Sequence, residues 1–172
     1  MKKISFVLLF LVVTLVASAQ EKYGVTTHQF AIGGKTKNPS VITMDSLQHY
    51  TISPIGDINV TDHTGTFKHK DEQLKGILLK DILSHTMLDA ASPKLYSAFY
   101  FTCTGSDGYK VVYSWNELFN TEVGNHVYII MEKNGVKADQ LPESIQMTST
   151  MDMKTGRRYL HNLDKIVVSQ AD

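Results

Sequence analysis

The 172-residue sequence has one cysteine, four prolines, one tryptophan and no excess of either charge. A single cysteine cannot form a disulfide within the chain, so burial of apolar side chains must hold the fold together. Because 17 basic residues face 17 acidic ones, the chain has no basic surplus to bind nucleic-acid phosphates. We therefore expect no nucleic-acid partner.

The sequence also lacks an apolar run long enough to cross a bilayer. Its longest run, residues 4–16, falls short of the ~20 residues of a membrane-spanning helix. Lys2 and Lys3 precede this run, and Ala17-Ser18-Ala19 follows it as a small-residue cleavage site. This order predicts a Sec-type signal peptide over residues 1–19 and one periplasmic or secreted domain over residues 20–172, with no membrane span.

Strand patterns outnumber helix patterns in the predicted domain. Apolar or alternating segments predict strands at 29–32, 55–60, 97–103, 110–113, 127–131 and 164–168. Asp107-Gly108 and Asn134-Gly135 are hairpin turns by composition. The sequence thus predicts an α+β fold, with a mixed, mainly antiparallel sheet.

Three short helices are predicted between these strands. Asp45 caps the first, with a return bond from Gln48, and helical spacing of Leu and Ile predicts the second over residues 78–86. Ser114 and Glu117 form a capping box that opens the third.

Cys103 is the first residue that could carry chemistry. Alternation places it on the same strand face as Phe99 and Phe101, where a thiol behaves as a small apolar group. No basic residue within three positions would lower its pKa. We expect a buried structural residue rather than a nucleophile or a metal ligand.

His63 and His69, with Asp62, are the candidates for a divalent-metal site. Their spacing does not match a tight metal-binding motif, and hydrated or hydrogen-bonded histidines are the alternative. We therefore predict no metal site. No nucleophile-elbow motif is present from which a catalytic triad could be assembled.

Two consecutive arginines follow Gly156, and His161 comes shortly after them. The planar donor forks of Arg157 and Arg158 are suited to a phosphate or a carboxylate. The alternative is a hydrated surface loop, because most charged clusters are solvated.

Four motifs in sequence order carry a family resemblance. They are the leucine-rich segment 74–83, Ser106-Asp107-Gly108-Tyr109 followed by 114–118, the segment 128–135, and the segment 156–163. From about residue 30 to residue 168, the chain resembles the sulfite-oxidase-like oxidoreductase molybdopterin-binding domain. The resemblance implies an α+β domain that, in active members, holds a molybdenum cofactor through basic side chains and a cysteine thiolate.

The resemblance also assigns site residues. Arg158 and His161 fall on basic positions of the family's last motif, and Tyr109 falls near an active-site tyrosine. Together with Arg157, they form the candidate pocket for an anion or another small ligand.

Departures from the family pattern argue against the molybdenum cofactor. The metal-binding cysteine is expected near residues 60–65, where the chain has Asp62-His63-Thr64-Gly65, and Cys103 lies too late to replace it. A family histidine and arginine fall on Leu141 and Gln146. Glu143 adds a carboxylate between them, which disfavours a pterin phosphate.

The signal peptide points the same way. In the family the cofactor is inserted in the cytoplasm, and a folded protein then leaves by the twin-arginine route. Residues 1–19 contain no arginine, so we expect the chain to cross the membrane unfolded and empty.

These observations predict an exported, non-catalytic domain that binds a small ligand or assists another protein without a molybdenum cofactor. The alternatives are an active molybdopterin-dependent oxidoreductase with unusual ligands and an envelope interaction module. An open polar pocket between the loops of Asp62 and Arg158 would favour ligand binding, and a filled one would favour the interaction module.

Overall fold

The computed structural model describes residues 24–172, so the predicted signal peptide lies outside the described part. The strands are β1 (Gln29–Gly34), β2 (Ser40–Thr43), β3 (Ser53–Thr61), β4 (Phe67–Leu78), β5 (Phe99–Gly105), β6 (Lys110–Ser114), β7 (Val127–Lys133), β8 (Val136–Lys137), β9 (Gln146–Ser149) and β10 (Leu163–Gln170). The α-helices are α1 (Met44–Leu47), α2 (Leu79–Leu83) and α3 (Trp115–Phe119), and short 3-10 helices cover Pro93–Ala98, Glu122–His126, Ala138–Gln140 and Thr155–Arg157. Between residues 24 and 172, no helix is long and apolar enough to span a bilayer.

The ten strands form two five-stranded sheets. The first has the order β2-β1-β10-β5-β6, and the second has the order β3-β4-β7-β8, with β9 also paired to β7. β1 and β10 are parallel, and every other paired strand is antiparallel. The predicted α+β class with a mixed, mainly antiparallel sheet is confirmed.

Local sequence signals set the start of α3 and the turn after β7. The Ser114 hydroxyl accepts a hydrogen bond from the backbone N–H of Glu117, and the Glu117 carboxylate accepts one from the N–H of Ser114. This is the predicted capping box. Asn134 and Gly135 both have positive φ, 54° and 77°, as the predicted hairpin turn requires.

The two earlier helices differ from their predictions. Asp45 does not cap α1, because the cap is Thr43, two residues earlier, whose hydroxyl accepts from the backbone N–H of Ser46. The helix predicted over 78–86 covers only 79–83. After Ser84 the helical bonds give way to i→i−3 turn bonds from His85 to Ile82 and from Thr86 to Leu83, and the Met87 carbonyl then accepts from the N–H of Lys37.

The main core contains buried side chains from both sheets, with Phe99, Phe101 and Cys103 on one face of β5. Burial raises the pKa of the Cys103 thiol to about 12, so the residue is a structural apolar group, as predicted. Neighbouring residues of β7 face opposite ways. Ile129 joins the main core, whereas Ile130 packs in a second cluster with Tyr159. The chain around Tyr159 therefore covers the outer face of the second sheet.

Candidate functional site

The guanidinium of Arg158 is bonded inside the protein. Its Nε and Nη2 donate to the two carboxylate oxygens of Asp152 at 2.8 and 2.5 Å, and Nη1 donates to Glu117 at 3.1 Å. The same group lies 4.6 Å from the centre of the Tyr113 ring. These carboxylates, Asp152 first, hold the pKa of Arg158 above its ordinary value. One cation thus faces two anions.

The side chains of Tyr109 and Arg157 each donate a hydrogen bond to a backbone carbonyl. The Tyr109 hydroxyl donates to the Arg157 carbonyl at 2.8 Å. The guanidinium of Arg157 donates to the carbonyl of His63 at 3.2 Å. The two adjacent arginines therefore bond to different parts of the protein.

His161 lies beside a buried polar network. Its ring is 5.0 Å from the ring of Tyr159, whose hydroxyl donates to Asp71 at 2.7 Å and to Gln146 at 3.2 Å. Lys133 donates to the same Gln146 oxygen at 2.9 Å. Burial lowers the pKa of His161 and raises that of Tyr159, so both groups favour their neutral forms.

Asp62 and His69, two of the candidate metal ligands, contact different groups of the protein and not each other. Asp62 folds a tight turn between β3 and β4, and one of its carboxylate oxygens accepts from Thr64 and from the backbone of Gly65. These bonds hold the pKa of Asp62 well below its usual value. His69 instead faces Asp71 at 3.4 Å. The described residues contain no group of three or more His, Cys, Asp or Glu residues that could hold a metal ion.

The loops of Asp62 and Arg158 touch each other directly. The Thr155 hydroxyl donates to the carbonyl of Asn59 and accepts from the N–H of Thr61 at 3.0 Å. A Cβ added at Gly156 would overlap the carbonyl oxygen of Thr61. The space between the two loops is therefore filled, and a filled space at this position favours the interaction module over ligand binding between these loops.

The residues at this place do not fit a molybdopterin phosphate. Arg158 already has two carboxylate partners, and a phosphate approaching it would meet the negative charge of Asp152 and Glu117. Gln146 is buried and accepts from Tyr159 and Lys133 inside the fold. Binding of an outside anion by Arg157, Arg158, His161 and Tyr109 stays a prediction.

A cavity of about 490 Å³ lies elsewhere, between β5, α2 and α3. This volume is within the range of small-molecule sites. Most of its lining residues are apolar or aromatic in type, one is charged and four carry a hydroxyl group: Lys37, Leu83, Ser84, Thr86, Met87, Leu88, Ala90, Ala91, Ser92, Pro93, Tyr96, Phe101, Trp115 and Phe119. We call it the aromatic cavity.

Four rings in contact make one wall of the aromatic cavity. Trp115 and Phe119 lie one turn apart on α3 and stack, with centroids 5.5 Å apart and planes 25° apart. Tyr96 packs on Trp115 at 5.5 Å, and Phe101 packs on Phe119 at 6.2 Å. Sequence reasoning did not identify this site. The sequence does contain an indication of it: Trp115 and Phe119 are at positions i and i+4 of a capped helix, so their rings share one face.

The wall opposite the rings is tied to the chain that follows β1. The Thr36 hydroxyl donates to the carbonyl of Met87 at 2.9 Å. The Asn38 side chain donates to the carbonyl of His85 at 2.8 Å and accepts from the N–H of Met87 at 2.7 Å. These bonds join the segment of Lys37 to the segment of Met87, and both of these residues line the aromatic cavity.

A second cavity of about 270 Å³ lies between Met44, Ile52 and Met131. It also borders Glu132, Lys137 and Asp139, so its lining carries both signs of charge. It is smaller than the usual range for small-molecule sites. The aromatic cavity is therefore the stronger candidate for a ligand.

Comparison with known proteins shows a shared fold and no more. No family model matches the sequence, and no curated protein matches it. Among solved structures, the sulfane dehydrogenase SoxCD from Paracoccus pantotrophus is similar over 88% of this chain, with a TM-score of 0.60 and 11% identity. The chain spans 39% of the length of that protein. The fold is thus that of a sulfite-oxidase-family protein, as the motif order implied.

Proposed function

We propose that this protein is an exported, non-catalytic domain that binds a small ligand in the aromatic cavity, without a molybdenum cofactor. The observation that carries the proposal is the cavity itself, about 490 Å³ in volume and lined by four contacting aromatic rings. Apolar pockets with a few polar groups are the usual form of small-molecule sites.

The contacts of Arg158 support the proposal that the domain works without a molybdenum cofactor. Its donors are used by Asp152 and Glu117, and the loops of Asp62 and Gly156 are in contact. A phosphate at this place would have to displace two carboxylates from one arginine, which costs the charge-assisted hydrogen bonds already made.

Trp115 provides a direct test, because it is the chain's single tryptophan and it lines the aromatic cavity. We would titrate the purified domain with N-phenyl-1-naphthylamine, a neutral aromatic probe. The expected result is saturable quenching of Trp115 fluorescence with one site per chain. The Ala90→Leu variant fills the aromatic cavity and should weaken probe binding at least tenfold.

Two variants serve as controls, after a thermal melt has shown that each folds. Ala31→Leu adds the same side chain at an exposed position of β1, and Arg157→Ala removes a cation from the predicted anion loop. Both should bind the probe as the wild type does. If Ala90→Leu does not fold, Ser92→Leu replaces it. Absence of saturable quenching, or equal affinity in the filled variant, would refute ligand binding here.

An interaction module of the envelope is the second candidate function. It is favoured by the direct contact of Thr155 and Gly156 with Thr61, which closes the place where the resembling family holds its cofactor. Failure of the probe titration would favour this candidate.

A further inference from the structure

We propose that the ligand of the aromatic cavity is a planar aromatic anion whose negative group pairs with Lys37. This inference rests on the proposed function and adds the chemical class of the ligand. The juxtaposition of one unpaired cation with a wall of four rings carries it.

The charge at the aromatic cavity is positive. Lys37 is its one charged lining residue, and no carboxylate lines it. Between residues 24 and 172, Lys37 takes part in no salt bridge, although the chain forms several elsewhere. Lys35, two positions earlier, instead donates to the side chain of Gln170 at 3.1 Å. A ligand carboxylate or sulfonate would therefore gain a charge-assisted hydrogen bond from Lys37, whereas a cation would be repelled.

The rings favour a flat ligand. Trp115 and Phe119 stack nearly parallel, and Tyr96 and Phe101 meet them at 56°. A planar ring entering this set finds both face and edge partners, the geometries that aromatic pairs prefer. A flexible aliphatic chain of equal area would lose more rotational freedom on binding and gain no such geometry.

The backbone that carries Lys37 is tethered before any ligand arrives. Its backbone N–H donates to the Met87 carbonyl at 2.8 Å, and the neighbouring Thr36 and Asn38 side chains bond to the same opposite wall. The side chain of Lys37 therefore starts from a tethered backbone at the edge of the aromatic cavity's lining. Pre-organisation of this kind reduces the entropic cost of binding.

Calorimetric titration with two probes of matched shape tests the inference. The probes are 2-naphthalenesulfonate, which is an anion, and 2-naphthalenemethanol, which is neutral. We expect the wild type to bind the sulfonate about threefold more tightly, the size of effect expected for one solvent-exposed ion pair at Lys37. Lys37→Gln should abolish this preference by weakening the sulfonate alone. Lys35→Gln, the matched control, should keep it.

The outcomes separate this inference from the proposed function. If both probes bind with equal affinity in the wild type, or if Lys35→Gln loses the preference as Lys37→Gln does, the ligand class is wrong while the aromatic cavity remains a binding site. If neither probe binds, or if Ala90→Leu binds both as the wild type does, the proposed function fails together with the inference.

Discussion

At the scale of single residues, Arg158 is held on three sides by Asp152, Glu117 and the ring of Tyr113. We expect Arg158→Ala to lower the free energy of unfolding by about 2–3 kcal/mol. The variant leaves the Asp152 carboxylate, which is 11% exposed, without its bidentate partner. Urea unfolding followed by circular dichroism measures the loss.

The neighbouring arginine is the matched control for this variant. Arg157 is exposed, and within residues 24–172 its side chain donates one hydrogen bond, to the His63 carbonyl. Arg157→Ala should change the free energy of unfolding by less than about 0.5 kcal/mol. Equal losses for the two variants would show that Arg158 is not a structural ion-pair partner.

Protonation of His161 should lower the free energy of unfolding as the pH decreases below neutrality. Burial lowers its pKa in the folded state below the unfolded value of about 6.5. The unfolded chain therefore takes up a proton first, so His161's contribution is complete above pH ~6.5 and is lost as pH falls toward its folded pKa. The slope from this one group reaches at most about 1.4 kcal/mol per pH unit.

Urea unfolding between pH 7 and pH 5 measures that slope. His161→Gln should reduce the slope, because the titrating group is gone. His49→Gln, at an exposed position just after α1, should leave the slope unchanged. A slope that is the same in all three proteins would contradict a buried, neutral His161.

The long-range contacts around Arg158 and His161 could not be predicted from the sequence, although Asp152 lies only six positions from Arg158. Motif order selected both residues as candidates for anion binding. Glu117 lies 41 positions from Arg158, and Tyr159 reaches Asp71 across 88 positions. Only the folded arrangement shows that these side chains bond to the protein itself, because spacing along the chain carries no information on such distant pairs.

At the scale of elements, α3 links a local sequence signal to the aromatic cavity. Its capping box fixes the first turn, and Trp115 and Phe119 then share one face. We expect Ser114→Ala to cost about 1 kcal/mol of stability, as the loss of a helix cap does, and to weaken binding of N-phenyl-1-naphthylamine.

Ser40→Ala is the control for this cap, since Ser40 is exposed in β2. It should leave both the unfolding midpoint and the probe affinity unchanged. A Ser114→Ala variant with full stability and full affinity would mean that the cap does not position the rings.

Elements with local signals are predicted well, and elements set by tertiary pairing are not. Ser114 with Glu117, and Asn134 with Gly135, are short-range patterns, and both are found. α2 stops at Leu83, the last of its periodic apolar residues and three positions short of the predicted end, because i→i−3 turn bonds from His85 and Thr86 follow it. β4 is twelve residues long although its first half is strongly charged, because β3 and β7 pair with it.

At the scale of the whole molecule, two five-stranded sheets share one core and give the fold of a sulfite-oxidase-family protein. The order of four short motifs was enough to predict this fold class. The aromatic cavity was not predicted, because its lining is spread from Lys37 to Phe119 and assembles only when α2 and α3 pack on β5. Fold and binding site thus depend on different parts of the sequence.

Mass spectrometry and elemental analysis of the protein purified from its native envelope test the central claim most directly. We predict a mature chain that starts at Gln20, contains no stoichiometric molybdenum or pterin, and releases a small aromatic acid on denaturation. The Ala90→Leu variant purified in the same way should lack that acid. Stoichiometric molybdenum with pterin, or a ligand retained in full by Ala90→Leu, would contradict the account.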